Sequence, residues 1–393
     1  MSRRSIGVAL AGGGPLGAIY EIGALMALDE ALHGISLKAC DVYVGVSSGA
    51  FFAAGLANGL PPRTMFRMFI ESDLADDPFE PSVLMRPALA EYWSRIASLP
   101  RLLATALSAR SDAKTFQEAL QSLTAALPTG LFDNAGISNY LTRLFSDLGR
   151  SNDFKSLRAK LFIVATDLDS CEAIPFGAPG HDKVPISRAV QASSALPGLY
   201  PPVEIDGRFY VDGALRKTLH ASVALDAGAK LLLCINPLVP FDADLAGRPA
   251  SLVAGGLPVV LSQTFRSIIY SRMQIGMERY RRDYPDADVL LFEPARDDRE
   301  MFFANPFSYS DRRRLCEHAY QRTREDLRLR RRQLGPLLAR HGVILDTAVL
   351  DDRSRTLLPP SKLSSKVSAN SLRTLNSTLD RLEALLRPQT ASR

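Results

Sequence analysis

The chain has 393 residues, of which 46% are hydrophobic, 23% charged and 8% aromatic. That is a globular composition, able to bury one large core or two ordinary ones, and it excludes a disordered chain. The formal net charge of +5 is mildly basic, which suits an anionic surface but fits many other proteins too; no nucleic-acid partner is expected.

The first apolar run, Ile6 to Ala11, follows Met1-Ser-Arg-Arg. It is shorter than the usual secretory core of about 7–15 residues, so it reads as a buried β-strand ended by glycines rather than a leader. Pro15 suits the first turn of a helix, which continues through Ile22, Leu25, Met26 and Leu28 to His33 and stops at Gly34. Asp41 to Val44 is a second strand. "GVSSGAFFAAGLANG" after it is a turn and a small-residue helix, closed by Asn58-Gly59 and Pro61-Pro62. Residues 61–130 change to helical patterns rich in Met, Phe and Leu and read as an inserted helical cap. Phe66 and Phe69 in that cap are candidates for insertion into a membrane.

Strand-like runs return at 160–170, 203–215 and 230–238, and the alternation of strands and helices argues for a layered α/β fold. Residues 241–350 read as a helical extension with one further strand. Within it, 311–341 carries ten arginines against four acids. Two readings compete there, a solvated amphipathic helix and a contact with anionic lipid headgroups. Residues 351–393 read as a flexible tether followed by a short amphipathic helix. Leu372, Leu375, Leu379, Leu382 and Leu386 recur in that helix at spacings of three and four, a stripe suited to docking or self-association. No stretch of about 18 apolar residues suggests a membrane-spanning helix. Cys40, Cys171, Cys234 and Cys316 show neither C-x-x-C nor a short His/Cys spacing. Reduced thiols in a cytoplasmic compartment are expected, with no metal site.

Three stretches carry chemistry. Gly12, Gly14 and Gly17 spell G-x-G-x-x-G, the pattern of a dinucleotide turn. A dinucleotide fold needs an acidic residue at the end of the second strand, and here that strand ends in Gly45-Val46-Ser47. The dinucleotide reading therefore fails, and no cofactor is expected. Gly45-Val46-Ser47-Ser48-Gly49 matches G-x-S-x-G, the nucleophile elbow, in which glycines permit a sharp strand-to-helix turn that projects the serine. Alone the pentad is weakly specific; the strand before it and the helix after it supply the context. Backbone N–H groups of Gly12, Gly13 and Gly14 beside an exposed serine could hold an oxyanion. A serine nucleophile needs a base. His33, His181, His220, His318 and His341 lie in no motif and read as surface or packing residues. Asp212 ends the apolar run "RFYVD", and Gly213 lets the chain turn away; a turn-forming Asp-Gly is the plain alternative.

Together, and in this order, the stretches Gly12 to Gly17, Gly45 to Gly49 and Asp212-Gly213-Ala214 resemble the patatin-like phospholipase family. The resemblance covers roughly residues 5–240, including "AVQASSALPGLYPPVEIDGRFYVDGAL" (189–215). It implies that Ser47 is the nucleophile, Asp212 its base in a dyad without histidine, and the Gly12 to Gly14 backbone the oxyanion hole. The reaction it implies is hydrolysis of acyl esters in lipids, without a metal. The family usually carries Arg or Lys before Gly17, where this chain has Leu16, and an asparagine-proline run after the aspartate, which is missing here.

The expectation is thus a three-layer α/β/α fold with a mainly parallel sheet, a helical cap and a helical C-terminal extension. The activity expected is serine acyl hydrolysis of lipid at a membrane surface, with a cytoplasmic or peripherally membrane-associated location. Two alternatives remain: a catalytically weak lipid-binding scaffold, hinted at by Leu16, and an esterase using a Ser-His-Asp triad.

Overall fold

A computed structural model describes residues 5–71, 79, 86–87, 129–247, 252–304 and 311–358. Most of the expected cap, the tether beyond residue 358 and the C-terminal leucine stripe lie outside the described residues.

The chain opens with two strand–turn–helix units. β1 (Ile6–Leu10) leads into α1 (Gly14–Ala31), and β2 (Val42–Gly45) into α2 (Ser48–Ala57). Then come α3 (Ala135–Leu144), β3 (Lys160–Asp167), β4 (Ala173–Phe176) and α4 (Ile186–Ser193). The hairpin β5 (Val203–Ile205) and β6 (Arg208–Asp212) precedes α5 (Ala221–Asp226) and β7 (Leu231–Ile235). The 28-residue α6 (Gly256–Asp283), β8 (Asp288–Phe292), α7 (Arg312–Leu329) and α8 (Arg331–Ala339) follow.

One sheet takes the order β8-β7-β1-β2-β3-β6-β5, with β4 also paired to β3. The five strands from β8 to β3 are mutually parallel, while β4 and β6 run antiparallel to β3. Alternation along the strands sorts side chains onto two faces. Ile6, Val8, Leu10, Leu231, Leu233 and Ile235 pack with α1, α2 and α7. Ala9, Val42, Val44, Leu232 and Cys234 face α5 and the C-terminal half of α6. Three layers result, and the central strands, covered on both faces, are apolar throughout, as parallel strands require.

Three sequence readings change in detail. α1 stops at Ala31 because Leu32–His33 instead pairs antiparallel with Ile344–Leu345. The 241–350 segment is part of the main body, since β8 extends the sheet in register with β7 and α6 covers part of one face. Phe66 and Phe69, read as membrane-inserting when the cap opens, are buried in the core in this structure. Phe69 meets the ring edges of Phe51 and Phe52, with centroids 5.0 and 5.3 Å away.

The arginines of α7 are largely engaged within the protein. Leu315, Cys316, Ala319, Tyr320 and Leu327 are buried on its inner side. Arg324 donates to the carbonyls of Val349 and Asp352, both at 2.6 Å. Arg312 donates to the Ile70 carbonyl, and Arg314 and Arg330 pair with Glu300 and Asp326.

Candidate active site

The two glycine turns lie at the carboxyl ends of the adjacent parallel strands β1 and β2, where open α/β sheets form their sites. β6 arrives from the other side of β3, and Asp212, its last residue, pairs with Ala165. The topology thus brings together three segments separated by up to 200 residues.

Ser47 sits between β2 and α2 with φ 52° and ψ −121°. A non-glycine residue in that region is strained, and such strain persists only where neighbours hold it. The Ser47 N–H donates to Ser193 Oγ at 2.9 Å, and Ser193 Oγ donates to the Val164 carbonyl at 2.6 Å. Val46 N–H is held by the Leu10 carbonyl at 3.1 Å. Gly49 is required by close approach, because a Cβ there would lie 2.4 Å from the Leu10 carbonyl oxygen.

The Ser47 side chain stands beside the Asp212 carboxylate, near enough to lower its pKa. Asp212 is almost fully buried, its carboxylate accepts the Ala214 N–H at 2.8 Å, and its own N–H donates to the Ala195 carbonyl at 3.0 Å. Burial pushes its pKa up to about 6, against the lowering effects of the neighbouring Ser47 hydroxyl and of the Ala214 N–H. Asp167, on β3, shows the opposite balance. Its buried carboxylate bonds the Arg208 guanidinium at 2.5 Å, and that contact holds its pKa well below the usual carboxylate range. Asp212 has the arrangement of a proton acceptor and Asp167 that of a structural anion.

Gly213 turns the chain directly after Asp212, and a Cβ there would lie 2.2 Å from the Val164 carbonyl oxygen. A side chain at this position would displace the aspartate from the serine.

In the glycine loop the N–H of Gly12 faces the Thr218 carbonyl at 3.4 Å. Gly13 is the N-cap of α1 and Gly14 its first residue, positions whose backbone N–H groups have no partner within the helix. Gly17 closes that turn on the Gly13 carbonyl at 3.0 Å. Leu16 points into the core, so this position faces the interior and not the reacting group.

The histidines are placed elsewhere or held neutral. His33, His318 and His341 bond Asp346, Asp298 and Asp288 respectively. His181 stands beside the Phe176 ring. His220 is buried against the Gly213 carbonyl at 3.3 Å, and burial pulls its pKa down to about 4. Among the described residues no cluster of His, Cys, Asp and Glu could hold a metal ion.

A family model for patatin-like phospholipases matches residues 8–225, a span that contains Ser47, Asp212 and the glycine loop. The chain belongs to the patatin-like phospholipase family.

Among solved structures the chain is similar to VipD from Legionella pneumophila, at 15% identity and a TM-score of 0.36, with 83% of this chain and 66% of that one covered. It is similar to the type III effector protein ExoU at 18% identity and a TM-score of 0.34, covering 84% and 53%. A complex of ExoU with SpcU from Pseudomonas aeruginosa matches at 19% identity and a TM-score of 0.25, covering 69% and 51%. This patatin-like chain therefore spans 66% and 53% of the lengths of the first two.

Sequence reasoning missed two supports of the patatin-like site. Ser193 lies in a stretch that resembles the family, but nothing local marks it as the acceptor for the elbow N–H. Glu21, in α1, is fully buried beside Ser48, and neither its carboxyl oxygens nor Ser48 Oγ has a well-formed hydrogen bond. The available signal was an acid in the apolar middle of α1, apart from Asp29 and Glu30 at its end.

Proposed function

We propose that this protein cleaves acyl esters of membrane lipids through a Ser47–Asp212 dyad and an acyl-enzyme intermediate. The observation that carries the reading is Ser47 at a strained elbow, standing beside the buried Asp212 carboxylate and the glycine loop. Ser47 Oγ attacks the ester carbonyl carbon as Asp212 accepts the hydroxyl proton. The carbonyl oxygen gains negative charge and is stabilised by the N–H groups of Gly13 and Gly14, aided by the positive N-terminal ends of α1 and α2. Collapse breaks the ester C–O bond. Asp212 returns the proton to the leaving alcohol, and the acyl group stays on Ser47. Water then attacks the acyl carbon with Asp212 again taking the proton, and the fatty acid and free serine are released. A carboxyl whose pKa lies near 6 can serve in both directions near neutral pH.

A fluorophosphonate probe tests the reading, because it phosphonylates only an activated serine. The expected result is one modified residue, Ser47, with labelling lost in Asp212→Asn. Modification mapped to any other serine would overturn the assignment.

A further inference from the structure

α6 buries one seam and leaves the opposite one open. Gln263, Arg266, Tyr270, Met273, Met277 and Tyr280 recur at spacings of three and four on the inner side. Gln263 bonds the Phe241 backbone at both N–H and carbonyl, Arg266 donates to the Val239 carbonyl, and the last three pack on the sheet core. Leu257, Val260, Leu261, Phe265, Ile268 and Ile275 fall on the opposite face at 3.6 residues per turn. All six are exposed, Leu257 by 69%, Phe265 by 56% and Ile275 by 65%. The stripe from Leu257 to Ile275 is about 27 Å long at 1.5 Å per residue. A helix apolar on both sides needs cover on both sides, and a continuous exposed stripe of this size marks an interaction surface.

Two further observations indicate what covers it. Arg272, on the rim of the stripe, donates to the Leu215 carbonyl at 3.4 Å, only three residues past Asp212. The stripe therefore borders the loop that leaves the active site, where Leu215 is also exposed. The same rim carries Arg216 and Lys217, both exposed. Arg216, Lys217 and Arg272 form no ion pair among the described residues. Apolar residues bordered by free cations match the acyl and phosphate layers of a bilayer.

We propose that the outer face of α6, with its rim of Arg216, Lys217 and Arg272, is the surface by which the protein lies on a phospholipid bilayer beside the mouth of the Ser47 site. The choice of a lipid occupant rests on the hydrolase reading above. The arginine-rich α7 plays no part in this contact, since its cations are engaged within the fold.

The test is sedimentation of the full chain with vesicles of phosphatidylcholine and phosphatidylglycerol in equal parts. Wild type should bind and should keep part of its binding at high salt, because insertion of apolar groups is not screened. Leu261→Glu combined with Phe265→Glu should lower vesicle affinity by about tenfold or more, with circular dichroism and melting temperature unchanged. Phe265→Leu should bind like wild type. Absence of wild-type binding, or undiminished binding by the folded double variant, would overturn the proposal. So would a wild-type dimer that the double variant turns into a monomer with vesicle binding intact, which would assign the stripe to a second copy. Ser47→Ala separates the two proposals. It should bind vesicles like wild type, whereas failure of the hydrolase reading would show as ester hydrolysis surviving that substitution.

Discussion

Two consecutive serines each face a buried carboxyl group from opposite sides of the elbow. Ser47 meets Asp212 at the end of β6, and Ser48 meets Glu21 in the middle of α1. Burial raises the pKa of both acids, so by titration alone they look alike. Their surroundings differ. Asp212 accepts the Ala214 N–H at 2.8 Å beside the glycine loop. The Glu21 oxygens have no well-formed partner, and apolar neighbours of the α1–α2 layer surround them. A raised carboxyl pKa reports desolvation. What makes a base is the serine fixed in front of it and the donors waiting for the charge that serine creates.

The largest expected effect separates the two serines. Ser47→Ala should lower ester hydrolysis by on the order of 10⁴ or more, as loss of a serine nucleophile does elsewhere, while Ser48→Ala should stay within about tenfold of wild type. Steady-state assays on a soluble ester decide it, and comparable losses in both variants would end the distinction drawn here.

The two acids should divide in the same way. Asp212→Asn keeps the shape and the Ala214 contact but cannot take a proton, so a loss of about 10³ or more in hydrolysis is expected. Glu21→Gln should cost less than about tenfold. A Glu21→Gln enzyme as inactive as Asp212→Asn would place Glu21 in the proton path.

The sequence made much of this site legible because its requirements are local. Gly45-Val46-Ser47-Ser48-Gly49 encodes a backbone turn, and Asp212-Gly213 a strand end followed at once by a change of direction. Each depends on residues close in the chain. The contact of the Gly12 N–H with the Thr218 carbonyl was not legible, because Thr218 lies some 200 residues away. β4 and β8 were harder to see because a strand of five residues or fewer shows little periodicity, and its place in a sheet depends on distant partners. The arginines of 311–341 leave two readings open for a related reason. Composition records ten cations but not the carbonyls of Val349 and Asp352 that engage Arg324.

A pH profile sharpens the comparison further. With the Asp212 pKa at about 6, kcat/KM should fall about tenfold for each pH unit below that value as the base becomes protonated. An imidazole could give a limb at similar pH, but His220 is held neutral by a pKa of about 4. His220→Ala should therefore keep the limb near pH 6 and lose less than about tenfold in rate. Disappearance of the limb in that variant would favour a histidine base over Asp212.

The smallest expected effect concerns stability, and there both acids should carry the same sign. A carboxyl whose pKa is higher in the folded state than in the unfolded chain stabilises the fold fully only below its unfolded pKa. That stability is lost as pH rises through the folded value. For Asp212 the window runs from an ordinary 3.8 to about 6, and the whole loss corresponds to about 3 kcal/mol. Asp212→Asn has no such loss, so its stability relative to wild type should improve from acid to neutral pH and level off above about pH 6. Glu21→Gln should also gain on wild type as pH rises, starting from the ordinary glutamate value of 4.5. Its advantage should continue until the pH passes the raised pKa of that group. Urea unfolding midpoints across the pH range measure both curves. A flat difference between wild type and Asp212→Asn would mean that the aspartate ionises without hindrance in the fold, and the desolvated base argued for here would be lost with it.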